Sequence, residues 1–162
     1  IPVLKGNYRV LPSAKGPFLH PIDEDEAKSK PCRIEDKKTL DEGHIQINLH
    51  DGRSFSVHVE NPQTTAEDIY RTMDTLRISI PSQEILEYLR LGKDMMALFV
   101  DGNNTGKYGT IVSIEEQAGR KRRDLLVTIR NEKGETFQTI LNYVFVVGDK
   151  TPRISLPNME AK

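Results

Sequence analysis

The sequence predicts an all-β protein built as two small β lobes. Two stretches carry that prediction. Gly43-His44-Ile45-Gln46-Ile47-Asn48-Leu49 and Arg53-Ser54-Phe55-Ser56-Val57-His58-Val59 both alternate apolar and polar residues with period two, the mark of half-buried strands, and His50-Asp51-Gly52 joins them. The same device recurs where Leu125-Leu126-Val127-Thr128-Ile129 and Thr136-Phe137-Gln138-Thr139-Ile140 flank Glu132-Lys133-Gly134.

Parity selects the loop length. A two-residue Asp51-Gly52 loop would pair Leu49 with Ser54 and send the apolar sets to opposite faces. A three-residue loop pairs Leu49 with Arg53, Ile47 with Phe55 and Ile45 with Val57, so that every apolar side chain shares one face. Gly52 then occupies the left-handed position of a bulged hairpin, where a Cβ is disfavoured. In the second hairpin the same argument pairs Ile129 with Phe137.

Further strands are predicted over 8–11, 18–22, 32–37, 76–80, 85–91, 95–100, 108–114 and 143–147, punctuated by Pro12, Pro17, Pro21, Pro62, Pro81 and Pro152. The charge-dense connection 23–30 predicts one helical turn. Thr65 can cap another over 65–68. Neither is long enough to stand alone. The lobe boundary is expected near Gly92, giving a central β domain over 1–92, a second lobe over 93–148 and a tail over 149–162.

The 162 residues are 36% hydrophobic and 29% charged, enough for a modest core and too periodic for wholesale disorder. No apolar run approaches the roughly 20 residues of a membrane span. No charged start followed by an apolar stretch marks a secretory signal. The chain opens on Ile1 and reads as part of a longer protein. Cys32 stands alone, so no internal disulfide forms, which fits a reducing compartment; it reads as a small half-buried strand residue. Net charge is −1. Residues 1–92 carry 12 Lys and Arg against 15 Asp and Glu, and residues 93–162 carry 11 against 9. Any electrostatic footprint is therefore a local patch.

One motif points to chemistry. The apolar run 95–100 enters Asp101-Gly102-Asn103-Asn104-Thr105-Gly106, a Lys107-Tyr108-Gly109 step follows, and Thr110-Ile111-Val112 leaves. This resembles a KOW motif, the strand–loop–strand core of small SH3-like barrels in ribosomal and transcription proteins. The resemblance implies that the C-terminal lobe is an SH3-like barrel that binds nucleic acid. Gly106 and Gly109 would shape the KOW turn, Lys107 would meet a phosphate, and Tyr108 would either stack on an unpaired base or pack into the barrel wall. Arg120-Lys121-Arg122-Arg123 is the only dense basic run. It is expected on an exposed loop between two strands of this lobe, where adjacent cations neutralise phosphates and release counterions, and where Arg adds bidentate geometry.

From end to end the chain resembles the archaeal and eukaryotic small-subunit ribosomal protein family S-four-e. Tyr8-Arg9-Val10-Leu11, Pro17-Phe18-Leu19-His20-Pro21-Ile22, Glu26-Ala27-Lys28 and Cys32-Arg33-Ile34 resemble its opening strands. His50-Asp51-Gly52-Arg53, Asp74-Thr75-Leu76-Arg77-Ile78 and Leu141-Asn142-Tyr143-Val144-Phe145-Val146-Val147-Gly148 follow in family order, and Ile154-Ser155-Leu156-Pro157 closes the match. The resemblance implies a structural constituent of the small ribosomal subunit, cytoplasmic, with ribosomal RNA and neighbouring ribosomal proteins as partners. The family's N-terminal part, with its RNA-binding helices, has no counterpart here, and the slight negative charge departs from the family's usual basic character.

Other candidates are weaker. His44 and His58 fall opposite each other, but no third or fourth ligand completes a zinc set, and their face reads as an uncharged polar strand face. Asp23-Glu24-Asp25-Glu26 lacks a glycine-punctuated calcium loop and reads as a solvated turn. No Walker-type loop, G-x-S-x-G or H-E-x-x-H occurs. The expectation is therefore a non-enzyme without cofactor, metal or small-molecule substrate. A transcription-elongation factor binding RNA polymerase, or an SH3-like protein-binding module, are the alternatives.

Overall fold

The computed structural model describes residues 5–57 and 70–157. His58 and the expected helical turn over 65–68 lie outside the described residues. Among the described residues, twelve strands and one short α-helix follow in chain order. They are β1 (Asn7–Leu11), β2 (Phe18–Ile22), α1 (Glu24–Ala27), β3 (Ser29–Thr39), β4 (Ile45–Leu49) and β5 (Ser54–Val57). Then come β6 (Thr75–Ser79), β7 (Ile85–Leu89), β8 (Met96–Phe99), β9 (Tyr108–Glu115), β10 (Leu126–Arg130), β11 (Thr136–Ile140) and β12 (Val144–Gly148). The protein is all-β, as the alternation predicts.

Strands β1 and β2 form a separate hairpin. The first large sheet has the order β5-β4-β3-β6-β7. Its organiser is β3, whose first half pairs with β6 and whose second half pairs with β4, with a register shift between Ile34 and Asp36. Hairpin β4–β5 shows the register that parity demands, Ile45 opposite Val57 and Ile47 opposite Phe55, with Gly52 at φ +88°. Inward residues Ile45, Ile47 and Leu49 meet Cys32, Ile34, Leu76 and Ile78 in one buried cluster.

The second sheet has the order β11-β10-β9-β8-β12. It runs as a meander from β8 to β11, and β12 then returns to pair with β8. Hairpin β10–β11 places Ile129 opposite Phe137, and Gly134 sits at φ +82°. Ala97, Phe99, Ile111, Val127, Ile129, Val144 and Val146 form its core.

These cores are not sealed from each other. Met73, Leu89 and Leu91, beside or within β6 and β7, belong to the buried cluster of the second sheet. On the other side Leu11 of β1 packs with Leu98, Val147 and Ile154. The sheets are therefore joined by apolar burial, which stabilises by about 25 cal/mol for each Å² removed from water.

α1 starts where its side chains dictate. Asp23 caps it by accepting from the Glu26 N–H at 2.7 Å. The acidic turn is partly tied down: Glu26 pairs with Arg9 and accepts from the Ser155 N–H at 2.9 Å, anchoring the segment after β12.

Candidate nucleic-acid interface

The basic run lies between β9 and β10 and ends in a tight turn, Arg122–Asp124. Arg120, Lys121 and Arg123 are exposed, whereas Arg122 is half-buried. Arg122 Nη2 donates to Asp74 Oδ1 at 3.0 Å, and the Asp74 side chain is fully buried. The same oxygen accepts from the Leu91 N–H at 2.8 Å, and the other carboxylate oxygen accepts from the Tyr88 hydroxyl. A buried carboxylate persists only when paired and hydrogen-bonded, and here a cation from the second sheet supplies the pairing. Burial, then the hydrogen bond to Asp74 and its charge, raise the Tyr88 hydroxyl above its ordinary range. Arg123 Nη2 also reaches the first sheet, donating to the Glu35 carbonyl at 3.3 Å.

Arg33 makes the reciprocal connection. Its Nη1 donates to the carbonyls of Asn142 at 2.9 Å and Val144 at 3.2 Å, and its Nε donates to Glu35 Oε1 at 2.8 Å. Each sheet thus sends an arginine into the other. Arg120 and Lys121 make no side-chain hydrogen bond or ion pair among the described residues, so their charges face solvent.

The turn before β9 is differently organised. Lys107 Nζ sits 4.2 Å from the Phe137 ring centroid and donates to Asn104 Oδ1 at 3.1 Å. Tyr108 is half-buried against the cluster of Leu11, Leu98, Val147 and Ile154. Burial, and then the charge of Glu132, raise its hydroxyl. Gly106 has φ +87°, and a Cβ there would meet the Pro12 carbonyl oxygen and Ser13 Cα at 2.9 Å. Gly109 has no left-handed φ; its Cβ would lie 2.3 Å from the Arg130 carbonyl oxygen. Both glycines are thus required by close backbone approach. No hydrogen bond, ion pair or ring contact joins 106–109 to 120–123 among the described residues.

His50, at the tip of the β4–β5 hairpin, and Cys32 serve packing. His50 Nδ1 accepts from the Arg33 N–H at 3.0 Å, and its ring meets Phe145 edge-on at 5.4 Å. Burial lowers its pKa. Cys32 is fully buried, and burial, then the Asp51 charge, push the thiol up to about 12. Burial by itself would raise Asp51 too. Hydrogen bonds from Lys30 and the Arg53 N–H outweigh it and hold the carboxyl down at about 2. Gln46 Nε2 donates to Asn48 Oδ1 at 2.8 Å on the uncharged face of β4. No three His, Cys, Asp or Glu side chains among the described residues are grouped to hold a metal ion.

Sequence reasoning missed Asp74, the central acceptor at this seam. An acidic residue between Met73 and Thr75, directly before an apolar strand, was the available signal, but its partners are remote in sequence.

Two antiparallel sheets tied by reciprocal arginines, with a solvent-facing basic step at the seam, define an all-β scaffold that presents charge. The profile of the ribosomal family S4e matches residues 4–85, just over half the chain, and the chain belongs to that family. It is 48% identical to the small ribosomal subunit protein eS4 of Aeropyrum pernix over 93% of this chain and 59% of that protein. It is 41% identical to the protein of the same name from Methanocaldococcus jannaschii, over 96% of this chain and 62% of that one. The chain thus spans about three-fifths of the length of these relatives. The crystal structure of the 30S ribosomal protein S4e from Thermoplasma acidophilum shares the fold, with a TM-score of 0.70 and 24% identity over 89% of this chain and 67% of that one.

Proposed function

We propose that this protein is a structural, non-catalytic constituent of the small ribosomal subunit, cytoplasmic as part of the ribosome, that binds ribosomal RNA beside neighbouring ribosomal proteins. The single observation behind this is family membership, with relatives named as small-subunit proteins at up to 48% identity. The site geometry supports a division of labour within the basic run. Arg120 and Lys121 contact phosphates, while Arg122 and Arg123 hold the turn against the first sheet so that the outer pair is presented. Lys107 and Tyr108 form a second contact at the KOW turn of a C-terminal SH3-like barrel. Binding positions the protein by backbone charge and RNA shape, without reading a linear sequence.

Co-sedimentation with small subunits and with stripped ribosomal RNA tests this at two salt concentrations. The expected result is pelleting at low salt that falls steeply at high salt. Failure to pellet with either at low salt overturns the proposal.

A further inference from the structure

A cleft of about 430 Å³ opens on the face of the second sheet away from its core. Its floor is β9. Gly109 and Ile111 point into the core and are buried, which leaves Thr110 and Tyr108 on the opposite face, where the half-buried Tyr108 packs against Leu11, Leu98, Val147 and Ile154 and also borders the cleft. Thr110 lies in register between Met96 of β8 and Arg130 of β10. One wall carries Lys93 and Asp94, and the other carries Arg130 and Glu132.

The charges in this cleft differ from those at the seam. Lys93, Asp94, Arg130 and Glu132 are all exposed, and none of their side chains makes a hydrogen bond or ion pair among the described residues. Two cations and two carboxylates share one cleft without neutralising each other. Glu132 still makes itself felt at the floor, where its charge adds to burial in raising the Tyr108 hydroxyl. A ligand carrying only negative charge meets two repelling carboxylates here. A ligand carrying phosphates and amino-bearing bases meets complements for both: cations for the phosphates, carboxylate acceptors for exocyclic N–H groups, and an aromatic ring for a base face. A duplex hides those base groups, whereas a single strand exposes them.

We propose that this cleft holds a short single-stranded RNA segment, with a base against Tyr108 and flanking phosphates on Lys93 and Arg130. The proposal rests on the ribosomal RNA-binding reading and deepens it by adding Lys93, Arg130, Asp94 and Glu132, which form no run in the sequence.

The test uses the whole chain and a mixed-sequence 12-nucleotide single-stranded RNA carrying 4-thiouridine, beside a duplex of the same sequence. Affinity is read by fluorescence anisotropy across salt, and contacts by photo-cross-linking. The single strand is expected to bind at least about tenfold more tightly than the duplex and to cross-link at or beside Tyr108. Lys93→Glu with Arg130→Glu should weaken binding more than about tenfold and reduce the salt slope by roughly 1.4, two single-strand phosphates' worth. Both residues are exposed and make no side-chain hydrogen bond or ion pair among the described residues, so an unchanged melting temperature is expected for that variant. Tyr108→Ala should weaken binding by about 5- to 100-fold, and Tyr108→Phe, which keeps the ring, should bind as wild type. If wild type binds RNA but the Lys93/Arg130 variant matches it, or cross-links fall outside the cleft, this inference fails alone. If the chain binds neither RNA nor small subunits, the ribosomal reading fails and takes the inference with it.

Discussion

Residues 120–123 form one uninterrupted basic run, yet its two halves are different objects. Arg122 and Arg123 turn toward the first sheet, one onto the buried Asp74 carboxylate and the other onto the Glu35 carbonyl. Arg120 and Lys121 face solvent. The difference teaches that a charge run is interpreted by where its partners lie, and that partners up to 88 positions away reassign its members. The inner half contributes stability by satisfying a buried acceptor. The side chains of the outer half make no hydrogen bond or ion pair among the described residues, and their charges face solvent.

The largest expected effect lies on the inner side. Asp74→Ala removes the shared acceptor of Arg122, Leu91 and Tyr88, leaving buried donors unsatisfied. Breaking one side of such a buried pair costs about 3–5 kcal/mol, measurable by urea unfolding. A loss below about 1 kcal/mol would remove the basis for calling this half structural. Arg122→Gln should fall in the same range, and a double-mutant cycle between the two should return a coupling of about 1–3 kcal/mol.

Two glycines sharpen the contrast. Gly109 faces inward, and Gly109→Ala places a Cβ 2.3 Å from the Arg130 carbonyl oxygen, so β9 and β10 must separate. An overpacking loss of about 3 kcal/mol is expected. Gly119 directly precedes the outward half. It has φ +83° with open space around it, so Gly119→Ala meets only the left-handed penalty, about 1 kcal/mol. Thermal melts of the two variants should rank in that order. The reverse order would mean that the loop before Arg120 is held as tightly as the strand.

Asp51 offers a second carboxylate–cation cluster, this one at a hairpin tip, where Lys30 Nζ donates at 2.8 Å. Its folded pKa of about 2 lies below the ordinary 3.8, so its contribution is fully present above the ordinary value and is lost as pH falls towards 2. Asp51→Asn should therefore flatten the acid limb of stability in that window. It should leave the pH dependence of stability near pH 7 unchanged, because the wild-type carboxylate is ionised there in both the folded and the unfolded state. An acid limb identical to wild type would show that Lys30 and Arg53 act at this tip by packing alone.

The strands and both hairpin registers were legible because they depend on neighbours. Ile45, Ile47 and Leu49 alternate, and parity forces a three-residue turn with Gly52 in the left-handed position. The length of β3 was less legible. Its pattern breaks at Glu35-Asp36, where its pairing with β4 shifts register. The seam was not legible at all. Met73, Leu89 and Leu91 resemble core residues of their own sheet but are buried in the core of the other. Nothing local distinguishes the two destinations, because both are apolar. Tyr108 illustrates the same limit, since a half-buried ring at a strand start satisfies both the packing and the stacking expectations until its surroundings are known.

The smallest effect on stability should accompany the largest effect on salt dependence. Arg120 and Lys121 have no side-chain partners among the described residues, so Arg120→Ala with Lys121→Ala should change unfolding free energy by less than about 0.5 kcal/mol. If each neutralises one phosphate, the slope of log affinity against log salt for small-subunit RNA should fall by roughly 0.7–0.9 per residue, because fewer counterions are released. Arg122→Ala should do the opposite, lowering stability while leaving the slope of the folded fraction unchanged, since its guanidinium is already committed to Asp74. The two variants therefore move along orthogonal axes. An Arg122→Ala protein that remains fully stable and loses salt slope would show that Arg122 leaves Asp74 to take a phosphate, and the inner and outer halves would merge into one RNA-binding loop.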